Sequence, residues 1–157
     1  MILPRYRNAP STIRGAGQGL FLDEAVSAGS IVTEPDAIDR TYRHAEIAAS
    51  PELRQQRHAA ARWFEDRYTL SPEWPDECYV NHSFSPTGLW HLGFVFALAD
   101  LPAGTEITVD YRHLLAPGEV EDFVDSLTGE TIVGLSWQES LASSTRALAG
   151  LLAATRS

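Results

Sequence analysis

Cys78-Tyr-Val-Asn-His-Ser-Phe-Ser-Pro-Thr87 is the stretch on which the fold of this chain turns. Aromatic and apolar residues lead into Asn81, His82 and Ser83, and Pro86 then breaks any regular element. Polar groups at the end of a buried segment must find partners. Taken alone, these residues admit two readings: a turn whose Asn and Ser bond their own backbone, or a set of polar groups held for a ligand. The flanking sequence has to decide between them.

Upstream stands Gly15-Ala-Gly-Gln-Gly-Leu-Phe21. Glycines at alternate positions let the backbone bend sharply and approach another molecule closely. No Gly-Lys-Ser/Thr follows, which excludes a phosphate loop. Leu20 occupies the place of the third glycine of a dinucleotide fingerprint, and no strand of buried type precedes it. A tight glycine hairpin remains the other reading. Thr12-Ile13 would end a first strand, and Leu20 to Val32 reads as two short strands around the turn Ser27-Ala-Gly-Ser30, the second running through Ile31-Val32-Thr33. Between about Tyr42 and Tyr68 the alanine, glutamine and arginine content predicts one or two inserted helices, with Ser50 as a cap and Pro51 in a first turn. Pro72, Trp74 and Pro75 mark a loop.

Downstream, Trp90 to Leu98 reads as one strand with both faces apolar, hence buried on both sides. Asp100-Leu-Pro-Ala-Gly104 is a turn. Thr105 to Tyr111 alternates as a strand, with Ile107 and Val109 opposed to Glu106, Thr108 and Asp110. Residues 119–137 are acidic and then strand-like around Thr131-Ile-Val133, with a turn at Ser126-Leu-Thr-Gly129. Residues 138–156 predict a helix whose packed face carries Leu141, Thr145, Leu148 and Leu152.

The 157 residues suit a single hydrophobic core, and 44% hydrophobic with 21% charged content is that of a soluble globular chain. No apolar run approaches the ~20 residues needed to span a bilayer, and the N-terminus lacks the apolar centre of a signal peptide. A cytoplasmic protein without a membrane anchor is therefore expected. One cysteine, Cys78, excludes an internal disulfide and a cysteine-based zinc cluster, and no metal is expected. The formal charge is −9, from 12 basic and 21 acidic residues. Every basic residue is arginine. This balance argues against direct nucleic-acid binding; it suits a basic partner, or simply keeps the chain soluble.

Three stretches stand in one order: Gly15-Ala-Gly-Gln-Gly-Leu-Phe21, then Tyr79-Val-Asn-His-Ser83 with Pro86, then Glu106-Ile-Thr-Val-Asp-Tyr111 after Leu101-Pro-Ala-Gly104. In this order, with about thirty residues between Asn-His-Ser and Asp-Tyr, they resemble a SET-domain protein lysine methyltransferase over roughly residues 10–115. The resemblance implies a β-clip-like fold of small curved sheets with a knot-like core, which with the helices read from the residues gives a mostly β fold with inserted helices and a C-terminal helix. The SET domain would span residues 1–116, with its helical insert at about 42–68, and residues 117–157 would form a C-terminal extension. In such a fold the donor, S-adenosylmethionine, and the target lysine meet end to end from opposite sides.

The resemblance further implies that the backbone at Ala16, Gly17 and Gln18 contacts the methionine part of the donor, that the Asn81 side chain bonds its amino group, and that the His82 backbone bonds its adenine. The His82 imidazole would be mainly structural. Tyr111 matches the catalytic tyrosine and would also border the donor. An unperturbed phenol, with a pKa of about 10, is a poor base at neutral pH; its implied task is to hold the amine in line and favour the transition state. Tyr68, Tyr79, Phe84 and Trp90 are candidates to wall the lysine channel, and core packing is the other reading of each.

The chain departs from the family pattern at Phe84 and Thr87, has no clear Tyr-x-Gly motif in residues 31–45, and lacks the cysteine-rich segment that follows many members. The acidic segment 119–137 is the candidate to close the channel instead. The expected activity is methylation of a lysine on a basic protein. The alternative is a SET-like module that binds a basic peptide or the cofactor without chemistry.

Overall fold

The computed structural model describes residues 1–35, 40–71 and 73–155; Pro72 and Arg156, read above as a loop mark and a helix end, lie outside them. The chain opens with an antiparallel hairpin of β1 (Tyr6–Pro10) and β2 (Gln18–Leu22). β3 (Ile31–Thr33) follows. Next come α1 (His44–Ala49), α2 (Pro51–Gln55) and a 3-10 turn at Arg57–Ala59, then a second hairpin, β4 (Ala61–Phe64) with β5 (Arg67–Thr69). A 3-10 turn at Asp76–Tyr79 leads into β6 (Asn81–His82), then β7 (Gly88–His91), β8 (Phe94–Ala97) and β9 (Thr108–Val109). After a 3-10 turn at Tyr111–His113 come the hairpin β10 (Val120–Val124) and β11 (Thr131–Val133), and α3 (Trp137–Ala154).

The strands form small sheets: β3-β8-β7, three two-stranded antiparallel hairpins, and a parallel pair, β6 with β9. Leu20, Leu22, Val32, Val80, Val95, Ala97, Leu101, Ile107 and Val109 make one buried cluster. Each small sheet is too narrow to bury a face alone, so the sheets depend on this shared core. β2 is stitched to the segment before β9, with Leu22 N donating to Thr105 O (2.9 Å) and Ile107 N to Leu20 O (2.8 Å). The architecture is the mostly β, small-sheet fold with a C-terminal helix that the sequence implied.

Several local expectations need correction. The insert is only half helical. Ser50 does cap α2, accepting from Leu53 N at 3.3 Å with Pro51 at N1, but residues 61–69 form a hairpin. Its Arg62, 1% exposed, donates from Nε to His113 O (3.2 Å) and from Nη1 to Leu135 O (2.9 Å). A helix would lose that anchorage. Trp90 to Leu98 is not one strand: the chain reverses at Leu92 and Gly93, both at positive φ (52° and 87°), the primed turn that suits a two-residue hairpin. A Cβ at Gly93 would collide with the Trp63 ring, so the turn and that packing require each other. Thr105 to Tyr111 contributes only a two-residue strand, and Glu106, Ile107, Thr108 and Val109 are all buried. The first strand ends at Pro10 rather than Thr12-Ile13.

α3 starts in a capping box, Ser136 accepting from Glu139 N (3.2 Å) while Glu139 Oε2 accepts from Ser136 N (3.0 Å). Its buried residues are Ser140 and Ser144, whereas Thr145 and Leu152 are exposed. The packed face is therefore rotated from the predicted one, because its partners are imidazoles. Ser140 Oγ meets His113 Nδ1 at 2.8 Å and Ser144 Oγ meets His91 Nδ1 at 2.9 Å. Among the described residues no helix is long and apolar enough to cross a membrane.

Candidate functional site

The loop between β1 and β2 closes on itself, Ser11 N donating to Gly17 O (2.9 Å) and Ala16 N to Ile13 O (3.2 Å). Gly15 and Gly17 sit at φ 87° and 77°, the left-handed region that glycine enters without strain. Gly19 has a different reason. A Cβ there would lie 2.8 Å from Glu106 Cδ. The molecule that approaches this glycine closely is the chain's own carboxylate.

Glu106 organises what lies beneath the loop, and nothing in its strand alternation revealed it. Its Oε1 accepts from Ser11 Oγ (2.6 Å) and Asn81 Nδ2 (3.1 Å), and its Oε2 from Thr12 N (2.8 Å) and Thr12 Oγ1. Burial pushes this carboxyl upward, but the hydrogen bonds from Ser11, Thr12 and Asn81 outweigh it and hold it below its ordinary range. Asn81 Nδ2 also donates to Gln18 O (2.9 Å). The Asn81 amide is thus fixed by its nitrogen, and its Oδ1 carries no hydrogen bond to the described residues.

β6 and β9 run side by side, Asn81 opposite Thr108 and His82 opposite Val109. This brings His82 beside Tyr111. His82 Nδ1 accepts from Tyr111 N (3.1 Å), which places the imidazole proton on Nε2, 3.6 Å from Asp125 Oδ2. Burial lowers the imidazole, with Asp110 and Asp125 opposing, so the neutral ring is favoured. Its role here is to position the Tyr111 backbone.

Asp125, 2% exposed, was also missed. It accepts from Phe84 N (3.0 Å), Leu127 N (3.1 Å) and Thr128 N (2.7 Å). Burial raises its carboxyl, but those backbone donors prevail and lower it. One side chain thereby pins the β10–β11 hairpin to the Asn-His-Ser segment. A buried acid just before a turn was the only available signal.

Tyr111 donates its hydroxyl to Val80 O at 2.7 Å. Its ring lies 5.4 Å from that of His82 and edge-on to Phe123 at 6.3 Å. Burial first, then the charge of Glu121 and the nearby Cys78, push the phenol far above its ordinary value, so it stays protonated. Burial and Glu77 push the Cys78 thiol up to about 11, which leaves it a poor nucleophile.

A single cleft of about 1300 Å³ joins these parts. Arg14, Gly15, Ala16, Gln18, Asn81, His82, Tyr111, Tyr79 and Trp90 all border it, as does Tyr68, which at 2% exposure is chiefly packed against Ile47 and Ala116. Trp63, stacked at a tilt 5.8 Å from Trp90, and residues 119–124 of the acidic hairpin complete it. Gly17 and Phe84 are not in the lining. Phe84 instead packs edge-on to His82 (4.7 Å) and beneath the Arg112 guanidinium (4.6 Å), so it supports the site from behind. Among the described residues no group of His, Cys, Asp and Glu is arranged to hold a metal.

The family model of the SET domain matches residues 17–112 of the 157, more than half of the chain. No curated protein gives a significant match.

Proposed function

The chain belongs to the SET-domain family, and from that premise we propose that it is an S-adenosylmethionine-dependent methyltransferase acting on a lysine side chain of a basic protein. The observation that carries this reading is the continuity of one cleft from the glycine loop and Asn81 to Tyr111.

The residues present fit the cofactor. Asn81 Oδ1 is an acceptor left without a partner among the described residues, suited to an amino group. Arg14 is exposed and lines the same cleft, where its guanidinium suits a carboxylate. The Ala16 N–H and the Gln18 carbonyl are engaged internally, so backbone contacts from these residues would come from the Ala16 carbonyl and the Gln18 N–H. Bound there, S-adenosylmethionine supplies the activated methyl group.

Other residues of the same cleft would prepare the amine. Trp63, Tyr79 and Trp90 offer faces to an alkyl stem and a cationic head. Tyr111 has its proton committed to Val80 O, so its oxygen lone pairs are free to face the amine and orient it. Glu119, Glu121 and Asp122 give this wall negative charge, which favours a basic partner.

Calorimetric titration of S-adenosylmethionine tests the cofactor assignment. Stoichiometric binding is expected, weakened about tenfold in Arg14→Ala by loss of one charge-assisted contact worth about 1.5 kcal/mol. No binding heat, together with a melting temperature unmoved by the cofactor, would contradict it.

A further inference from the structure

The acidic hairpin holds four carboxylates at or near the cleft, Glu119, Glu121, Asp122 and Asp125, whose situations differ. Glu119 is ion-paired with Arg57 and accepts from Ala116 N at 3.0 Å. Asp125 is consumed by three backbone N–H groups. Glu121 lines the cleft, is half-buried, and has no ion-pair partner among the described residues. Val120 to Val124 all line the cleft, and the register of β10 against β11 shifts within that run. Within that run Phe123, two residues on, packs edge-on to Tyr111. Glu121 and Asp122 are the cleft-lining acids of this hairpin without an ion pair among the described residues, and of the two Glu121 is half-buried while Asp122 is exposed, on the strand whose Phe123 packs on Tyr111.

Resting on the lysine reading above, we propose that Glu121 is the proton acceptor for the substrate ammonium. A lysine side chain has a pKa of about 10.4, so at pH 7 only about 1 in 2,500 is neutral. The Glu121 carboxylate would form an O–H bond as one N–H bond of the ammonium breaks. The amine keeps its lone pair, and the proton later leaves to bulk water. The charged groups around it are consistent with this role. Burial and then Asp122 raise the Glu121 carboxyl, with Arg57 opposing, and Tyr111 responds to the Glu121 charge as well as to Cys78. Tyr111 itself cannot be the base, being held as a phenol bonded to Val80 O.

The test compares pH–rate profiles for wild type, Glu121→Gln and Glu121→Asp, using labelled methyl donor and a lysine-rich protein mixture. A second readout is calorimetric binding of a lysine homopeptide. Wild type should show a plateau from above the Glu121 value up toward pH 10. Glu121→Gln should lose about 100-fold at pH 7, recover roughly tenfold per pH unit as the amine ionises unaided, and bind the homopeptide more weakly. Glu121→Asp should keep the wild-type profile shape, which separates loss of the proton acceptor from misfolding. A Glu121→Gln profile parallel to wild type, or equal pH-independent losses in both variants, would overturn the inference while leaving the lysine reading intact. Wild type that labels no lysine at any pH would overturn both.

Discussion

Replacing Glu106 by glutamine should damage the protein more than its conservative shape suggests. Four donors converge on the carboxylate: Ser11 Oγ and Asn81 Nδ2 on Oε1, Thr12 N and Thr12 Oγ1 on Oε2. The hydroxyls can rotate, but the two N–H groups cannot. Whichever way the new amide turns, its NH₂ faces one of them. A buried donor left unsatisfied costs roughly 1–3 kcal/mol, and bonds to a charged acceptor are worth more than bonds to a neutral one. The expected loss is about 3 kcal/mol at pH 7, or a fall in Tm of about 6–12 °C for a chain of this size. Because the folded protein holds Glu106 below its ordinary value, the unfolded state takes up its proton first. The advantage over Glu106→Gln is thus fully present above about pH 4.5 and is lost as pH falls through the folded value. Urea titrations at pH 7 and across the acid range measure this. A difference under about 0.5 kcal/mol at pH 7, or one unchanged into acid, would refute this account of the network.

Further expectations concern the elements around the site. Asp125→Ala removes the acceptor of Phe84, Leu127 and Thr128 N–H; a loss of about 3 kcal/mol and faster hydrogen exchange at those amides should follow. Burial lowers both His91 and His113, the latter also through Arg112, Arg62 and His91 against Asp110. Unfolding therefore binds protons, and the stability they contribute above about pH 6.5 is lost as pH falls through the lower folded values; thermal melts from pH 7 to 5 should show a drop that is smaller in a His91→Gln/His113→Gln variant, with the share of the lowered His82 remaining. Gly93→Ala forces a Cβ into the Trp63 ring at a positive φ, and denaturant titration should show about 2 kcal/mol or more of destabilisation.

The small-sheet fold was readable through the resemblance that the three short motifs carry together in their order; taken alone, the glycine loop and Asn-His-Ser each admitted a plain turn. What the sequence hid is held by tertiary partners. Leu92-Gly93 lacks the Asn-Gly signature of a primed turn, and only the Trp63 ring against Gly93 explains it. Residues 61–69 look helical by propensity, yet the anchorage of Arg62 to His113 O and Leu135 O makes them a hairpin. α3 buries serines because histidines from two other elements reach them. Glu106 read as the outward face of an alternating strand, but this strand has no solvent face.

The most direct test is to incubate the protein with methyl-labelled S-adenosylmethionine and a lysine-rich protein mixture, hydrolyse the product, and identify the labelled amino acid for wild type and Tyr111→Phe. The cleft and its tyrosine predict label in N-methyllysine, reduced at least about 100-fold in Tyr111→Phe while calorimetric cofactor binding persists. Cofactor binding with no label in any amino acid, or label in an amino acid other than lysine, would contradict the account.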